Sequence, residues 1–227
     1  VHTVTAQKLE DVSITADAAF VFDVREQRVL FAKNETRALP LASITKLMTA
    51  LLAHELVEGD TEANISDAAI SQDGDNGLTA GERFTVNELE RLALITSSND
   101  AAFALGASVG ELLGEGNPHE QVVEAMNIRA EELELETLSF KNTTGLDIST
   151  TEAGALGSAK DVTFLMEHII EKYPEIIEST RLGYARVYSE DGEYHDIENT
   201  NDYVSEIPNL IGSKTGYTDL AGGNLVV

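Results

Sequence analysis

Cysteine and tryptophan are absent from this chain, and proline occurs only four times in 227 residues. Without cysteine there is no disulfide framework and no thiolate nucleophile or metal ligand, so compartment stays open on that ground. No apolar run is long enough to cross a bilayer, and no basic start leads into an apolar stretch. No membrane anchor is therefore legible, while export stays open because processing removes a leader. Positive charge is scarce: 15 Lys and Arg face 40 Asp and Glu, a formal net charge of -25. Such an excess repels phosphates and argues against DNA or RNA as a partner. Its plain reading is a solvated, self-repelling surface.

What is present suffices for a core, with 42% hydrophobic residues. Ala18–Asp23 and Arg28–Ala32 read as a β-hairpin. From Ser43, the positions Ile44, Leu47, Met48, Leu51, Leu52 and Leu56 recur at helical spacing, with Gly59 as a stop. Thr85 and Glu88 form a capping box for a helix that reaches Ser97. Asn117-Pro118 opens another helix, and Ser158 with Asp161 caps one that ends before Pro174. Leu182–Ser189 and Pro208–Tyr217 read as strands near the end. Strands at both ends around a helical middle predict one α+β (α/β) domain over 1–227. Residues 1–40 and 180–227 supply one sheet, and 41–179 supply a mainly helical lobe.

Three short motifs carry the chemistry: Ser43-Ile44-Thr45-Lys46, Ser97-Ser98-Asn99 and Lys214-Thr215-Gly216. On a helix, Ser43 and Lys46 share a face, which brings the amine to the hydroxyl. A serine hydroxyl needs a base, and lysine serves only when part of it is neutral. Burial beside a second cation lowers a lysine pKa, and Lys214 is the candidate for that cation. The Ser43 end of the helix would also stabilise developing negative charge. Ser97 would relay a proton to the leaving group, and Asn99 would hold the substrate backbone and orient Lys46. Gly216 would let a ligand backbone approach a strand edge, along which a peptide could add. Lys214 and Thr215 would bind a terminal carboxylate, with the Tyr217 and Ser43 amides as oxyanion donors. Each motif alone also has a bland reading: a helix cap with a solvated lysine, a cap for the helix after Asn99, and an edge-strand turn.

In this order, S-x-x-K, S-x-N and K-T-G form the signature of penicillin-binding proteins and class A β-lactamases. The chain resembles more closely the D-alanyl-D-alanine carboxypeptidase family of low-molecular-mass penicillin-binding proteins. The likeness covers Pro40–Ala50, Leu94–Ala102, Met126-Asn127, Asn142–Asp147, Asn199–Asn201 and Gly212–Thr218. It implies a DD-peptidase/β-lactamase-like fold, an antiparallel sheet flanked by helices with an inserted helical lobe. It also implies attack by Ser43 on the last peptide bond of a peptidoglycan stem peptide ending in D-Ala-D-Ala, with Lys46, Ser97 and Asn99 assisting. β-Lactam antibiotics would be covalent inhibitors. No metal or organic cofactor is implied, and the implied location is the periplasm or the outer face of the cytoplasmic membrane. Family members usually continue past this point with further strand, so the C-terminal part of the sheet is expected to be cut short at Val227.

Rival readings differ in chemistry. A class A β-lactamase would carry an E-x-x-L-N segment between Ser97 and Lys214, and none is present. An endopeptidase of the same fold shares every motif. A non-catalytic peptidoglycan-binding protein would keep the fold without acylation. The histidines are scattered and His54-Glu55 lacks the second histidine of H-E-x-x-H. Asp73–Gly77 is similar to a calcium loop, but its glycine is misplaced and Phe84 stands where the closing glutamate belongs, so it reads as a turn. Three N-x-S/T matches, at Asn34, Asn64 and Asn142, carry no functional reading.

Overall fold

The computed structural model describes residues 12–74 and 77–227. Strands β1 (Ala19–Asp23) and β2 (Arg28–Lys33) form the expected antiparallel hairpin, Ala19 opposite Lys33. Strand β3 (Leu39–Pro40) leads into a 3₁₀ turn, Ala42–Thr45, and helix α1 (Lys46–Leu56). The helix ends before Gly59, because Val57 is already extended. Strand β4 (Glu62–Asn64), helix α2 (Asp67–Ile70) and strand β5 (Arg83–Thr85) follow, with β4 and β5 paired antiparallel.

Helix α3 (Val86–Ile95) starts where Thr85 Oγ1 accepts from the Glu88 amide. After it come α4 (Asn99–Leu113) and α5 (Pro118–Glu132), the latter capped by Asn117 as the Asn-Pro signal predicts. Strands β6 (Ser139–Phe140) and β7 (Ala155–Gly157) join β3 in a small antiparallel ladder. Ser158 caps α6 (Ala159–Lys172), which stops ahead of α7 (Pro174–Glu178). The chain closes with two hairpins, β8 (Tyr184–Tyr188) with β9 (Tyr194–Glu198), and β10 (Lys214–Thr218) with β11 (Gly222–Val226).

Two expectations are corrected. The antiparallel strands form five separate small sheets among the described residues, in place of one sheet drawn from both ends of the chain. The run at 208–213 is not a strand, and regular pairing begins only at Lys214. Asn209 adopts a left-handed backbone and the Ser213 amide donates to Thr180 Oγ1, so this segment satisfies its groups outside any ladder.

Helix α1 is the centre of the molecule. Every residue from Lys46 to Ala53 is buried, with Leu47, Met48, Ala50 and Leu51 fully so. A helix apolar on all sides belongs inside a domain, and α3, α4, α5, α6 and α7 pack around this one. The core thus holds the first turn of α1 rigid, which is where the Ser43 motif sits.

Candidate active site

Ser43 lies in the 3₁₀ turn and Lys46 is the first residue of α1. In a 3₁₀ turn, side chains three apart nearly eclipse, a closer approach than an α-helix gives. Lys46 Nζ is 2.8 Å from Ser43 Oγ. The same nitrogen donates to Asn99 Oδ1 at 2.7 Å and to the Thr144 carbonyl at 2.8 Å. Both of those atoms only accept. A neutral amine has two N–H bonds and one lone pair, so serving both acceptors turns its lone pair to Ser43, whose hydroxyl then donates. Lys46 is 0% exposed. Burial holds its amine well below the ordinary lysine range, and the neighbouring Lys214 charge lowers it further.

Ser97 adopts a left-handed backbone, φ 62°, at the sharp reversal between α3 and α4. A non-glycine residue there is strained, a feature that clusters at functional sites. Helix α4 is capped by Ser98, whose Oγ accepts from the Ala101 amide. Capping falls to neither Asn99 nor Asp100, and this frees Asn99 for Lys46. Asn99 is oriented from its far side, because its Nδ2 donates to the Asp73 carbonyl at 2.6 Å. The Asp73 segment, read from sequence as a plain turn, therefore positions the site, while Asp75 and Asn76 of the same motif lie outside the described residues.

Lys214 Nζ donates to Ser97 Oγ and to the Thr215 carbonyl, each at 2.8 Å, and is 1% exposed. Burial pushes this amine down to about 7. Thr215 Oγ1 is hydrogen-bonded to Thr200 Oγ1, and Tyr217 is 72% exposed at the strand's outer side. Gly216 also lies against the serine turn. A Cβ there would lie 2.9 Å from the Ser43 amide nitrogen and 3.0 Å from the Leu41 carbonyl. Absence of a side chain lets β10 press against the serine turn itself.

Several supporting residues escaped the sequence reading. The Thr144 carbonyl, the third partner of Lys46, belongs to a loop organised by Asn142, whose Oδ1 accepts from the amides of Thr144 and Gly145. Gly145 takes φ 82°, and a Cβ would fall 1.9 Å from the Ala42 carbonyl, so the loop closes on the serine turn from behind. Asn199 and Asn201 similarly tie the β9 exit to Ser213 through the Asn201 Nδ2 bond to Ser213 Oγ at 3.0 Å. The N-T-T-G and N-T-N segments were visible in the sequence, but neither had a chemical role readable from residue type.

Two buried lysines have a measurable consequence for stability. Unfolded, Lys214 keeps its proton to about pH 10.4, whereas folded it releases it near 7. Between those values the unfolded chain binds the extra proton, so stability rises with pH and is lost as pH falls towards 7. Lys214→Met removes that proton linkage. Its stability relative to the parent is expected to be most favourable at or below pH 7 and to decline towards pH 10 by about 1.4 kcal/mol per unit. Denaturant melts of both proteins across that range check it, and a difference that ignores pH would contradict the lowered pKa of the buried Lys214.

Comparisons with known proteins give the family of the chain. A family model described as D-alanyl-D-alanine carboxypeptidase matches residues 2–227. The D-alanyl-D-alanine carboxypeptidase DacF of Bacillus subtilis is 31% identical over 218 residues, 93% of this chain and 53% of the relative. A D-alanyl-D-alanine endopeptidase of Haemophilus influenzae is 28% identical over 218 residues, covering 93% of this chain and 69% of that protein. The ampicillin-bound structure of penicillin-binding protein D2 from Listeria monocytogenes superposes with a TM-score of 0.74 at 30% identity, over 94% of this chain and 83% of that one. The chain spans about half the length of the carboxypeptidase relatives it matches.

Proposed function

The chain belongs to the D-alanyl-D-alanine carboxypeptidase family, and from that membership and the site geometry we propose that it releases the terminal D-alanine of peptidoglycan stem peptides. The single observation that supports this most strongly is the buried Lys46 amine, 2.8 Å from Ser43 Oγ and held by Asn99 and Thr144. Ser43 Oγ attacks the penultimate D-alanine carbonyl while its proton passes to Lys46. The oxyanion is met by the Ser43 and Tyr217 amides. The scissile C–N bond then breaks, and the departing D-alanine amine takes the proton that Lys46 accepted, relayed through Ser97, which Lys214 holds in place, so that Lys46 is neutral again. Water hydrolyses the resulting ester and restores the Ser43 hydroxyl.

The peptide lies along β10, with Lys214, Thr215 and Gly216 on its carboxylate side. Work on the cell wall requires export, so the protein acts at the cell envelope, in the periplasm or on the outer face of the cytoplasmic membrane. β-Lactams acylate the same serine and leave slowly, because the chain carries no E-x-x-L-N segment to activate a deacylating water. Relatives named endopeptidases keep cross-link cleavage as a second reading.

The deciding experiment uses a tripeptide ending in D-alanyl-D-alanine, a cross-linked muropeptide and penicillin. Released D-alanine, with a retained penicilloyl adduct by intact mass, is expected. Cleavage of the cross-linked substrate alone would move the reading to an endopeptidase. Rapid turnover of a chromogenic β-lactam would make it a β-lactamase, and folded protein with no adduct would leave only a binding module.

A further inference from the structure

The hairpin of β8 and β9 carries an outer face that the chemistry above does not use. Alternation along the strands sends Val187 and Ile197 inward, where both are buried. The opposite face presents Tyr184, Arg186, Tyr188, Tyr194, Asp196 and Glu198, and the three tyrosines are 74%, 55% and 56% exposed. Across the hairpin, Tyr184 faces Glu198, Arg186 faces Asp196 and Tyr188 faces Tyr194.

This face is ordered despite its exposure. Arg186 makes two hydrogen bonds to the Asp196 carboxylate, at 2.6 and 2.8 Å, and its guanidinium lies 4.2 Å from the Tyr194 ring centre. Tyr184 Oη donates to Glu198 at 2.8 Å. The tip is anchored as well, because Arg83 donates to Asp191 through its backbone amide and its guanidinium. On the inner side, His195 is 2.9 Å from Glu82. A two-stranded hairpin is marginal alone, and these ties fix it to β5 and the segment before it.

Solubility would be served by charged side chains at those positions, yet large aromatic rings occupy them in a chain of net charge -25. Flat ring faces pack against the C–H faces of pyranose rings, and arginine and carboxylate groups alternate with them as donors and acceptors for sugar hydroxyls. A largely uncharged polysaccharide also escapes the repulsion that an anionic polymer would meet. Position favours the same partner. Strand β9 runs directly into Asn199-Thr200-Asn201, where Thr200 bonds to Thr215 in the site. From that base the strands extend about 17 Å, longer than one sugar ring.

We propose that the outer face of the β8–β9 hairpin binds the glycan strand of peptidoglycan, holding the polymer whose stem peptide occupies the site. This rests on the proposed function for its substrate, but binding to sugar is testable without turnover. Strands of an uncharged β-1,4-linked N-acetylglucosamine polymer, which carry no peptide and no carboxylate, are sedimented with the parent protein and with the Tyr184→Ser, Tyr188→Ser, Tyr194→Ser triple variant. The parent is expected to co-sediment, and the variant to bind about tenfold or more weakly. In parallel, KM for a stem peptide carried on a glycan strand should rise by a similar factor, while turnover of the free tripeptide stays unchanged.

Equal glycan binding by both proteins would overturn the proposal, as would failure of the parent to bind. So would a concentration-dependent dimer, lost in the variant, with no glycan bound, since the face would then meet a second copy of this chain. If the triple variant does not fold, Tyr188→Ser alone replaces it with the same readouts. Glycan binding without D-alanine release would retain this surface and reject the carboxypeptidase reading.

Discussion

Lys46→Met is expected to lower the acylation rate by about a thousandfold or more while leaving the protein folded. General-base catalysis contributes roughly 10²–10⁴, and here the base is also the hub that holds Asn99 and the Thr144 loop. Methionine keeps the stem volume inside a helix turn that is entirely buried. Two acceptors lose a donor, at about 1–3 kcal/mol each, but the cost of burying an amine disappears at the same time. Stability and activity should therefore separate. Penicilloyl-adduct formation by stopped-time intact mass measures the first quantity, and thermal melts measure the second. In the parent, acylation should weaken as pH falls, since protonation of Lys46 removes the acceptor for the Ser43 proton. Near-parental acylation by the variant would transfer the base role to another group.

Gly216→Val is the second large expectation. A Cβ at this position would meet the Ser43 amide at 2.9 Å, the Leu41 carbonyl at 3.0 Å and the Ile44 amide at 3.1 Å. All three are backbone atoms and cannot swing aside. Strand β10 must then move away from the serine turn, and with it the Tyr217 amide and the Lys214 contact to Ser97. Displacement of that order costs about 10²-fold, and loss of an oxyanion donor about 10²–10³. Acylation should fall by roughly that range, with the β10–β11 hairpin still formed. A variant that acylates at the parental rate would show that the strand's distance from Ser43 does not matter.

Both predictions show how unevenly the site could be read. Ser43, Lys46, Ser97, Asn99 and Lys214 were legible because their residue types and spacing suggest a chemistry, a hydroxyl with an amine three positions on and a second lysine, and the fold brings these side chains together. The helix starts at Thr85, Asn117 and Ser158 were legible because capping is local and each cap bonds an amide within three residues. The strand expected over 208–217 was partly wrong, because an apolar run looks alike whether it pairs or wraps another element.

Amino-acid order alone determined the candidate groups of the site, the helix starts and the family to which the chain belongs. Tertiary structure decided the rest: which carbonyl completes the Lys46 environment, why Gly216 must lack a side chain, and that Asp73 braces Asn99. Those contacts join segments far apart along the chain, and many run through backbone atoms that every residue possesses. Residue identity leaves no mark of such partners, because the bond belongs to the distance between two peptide groups, and only packing around α1 sets that distance.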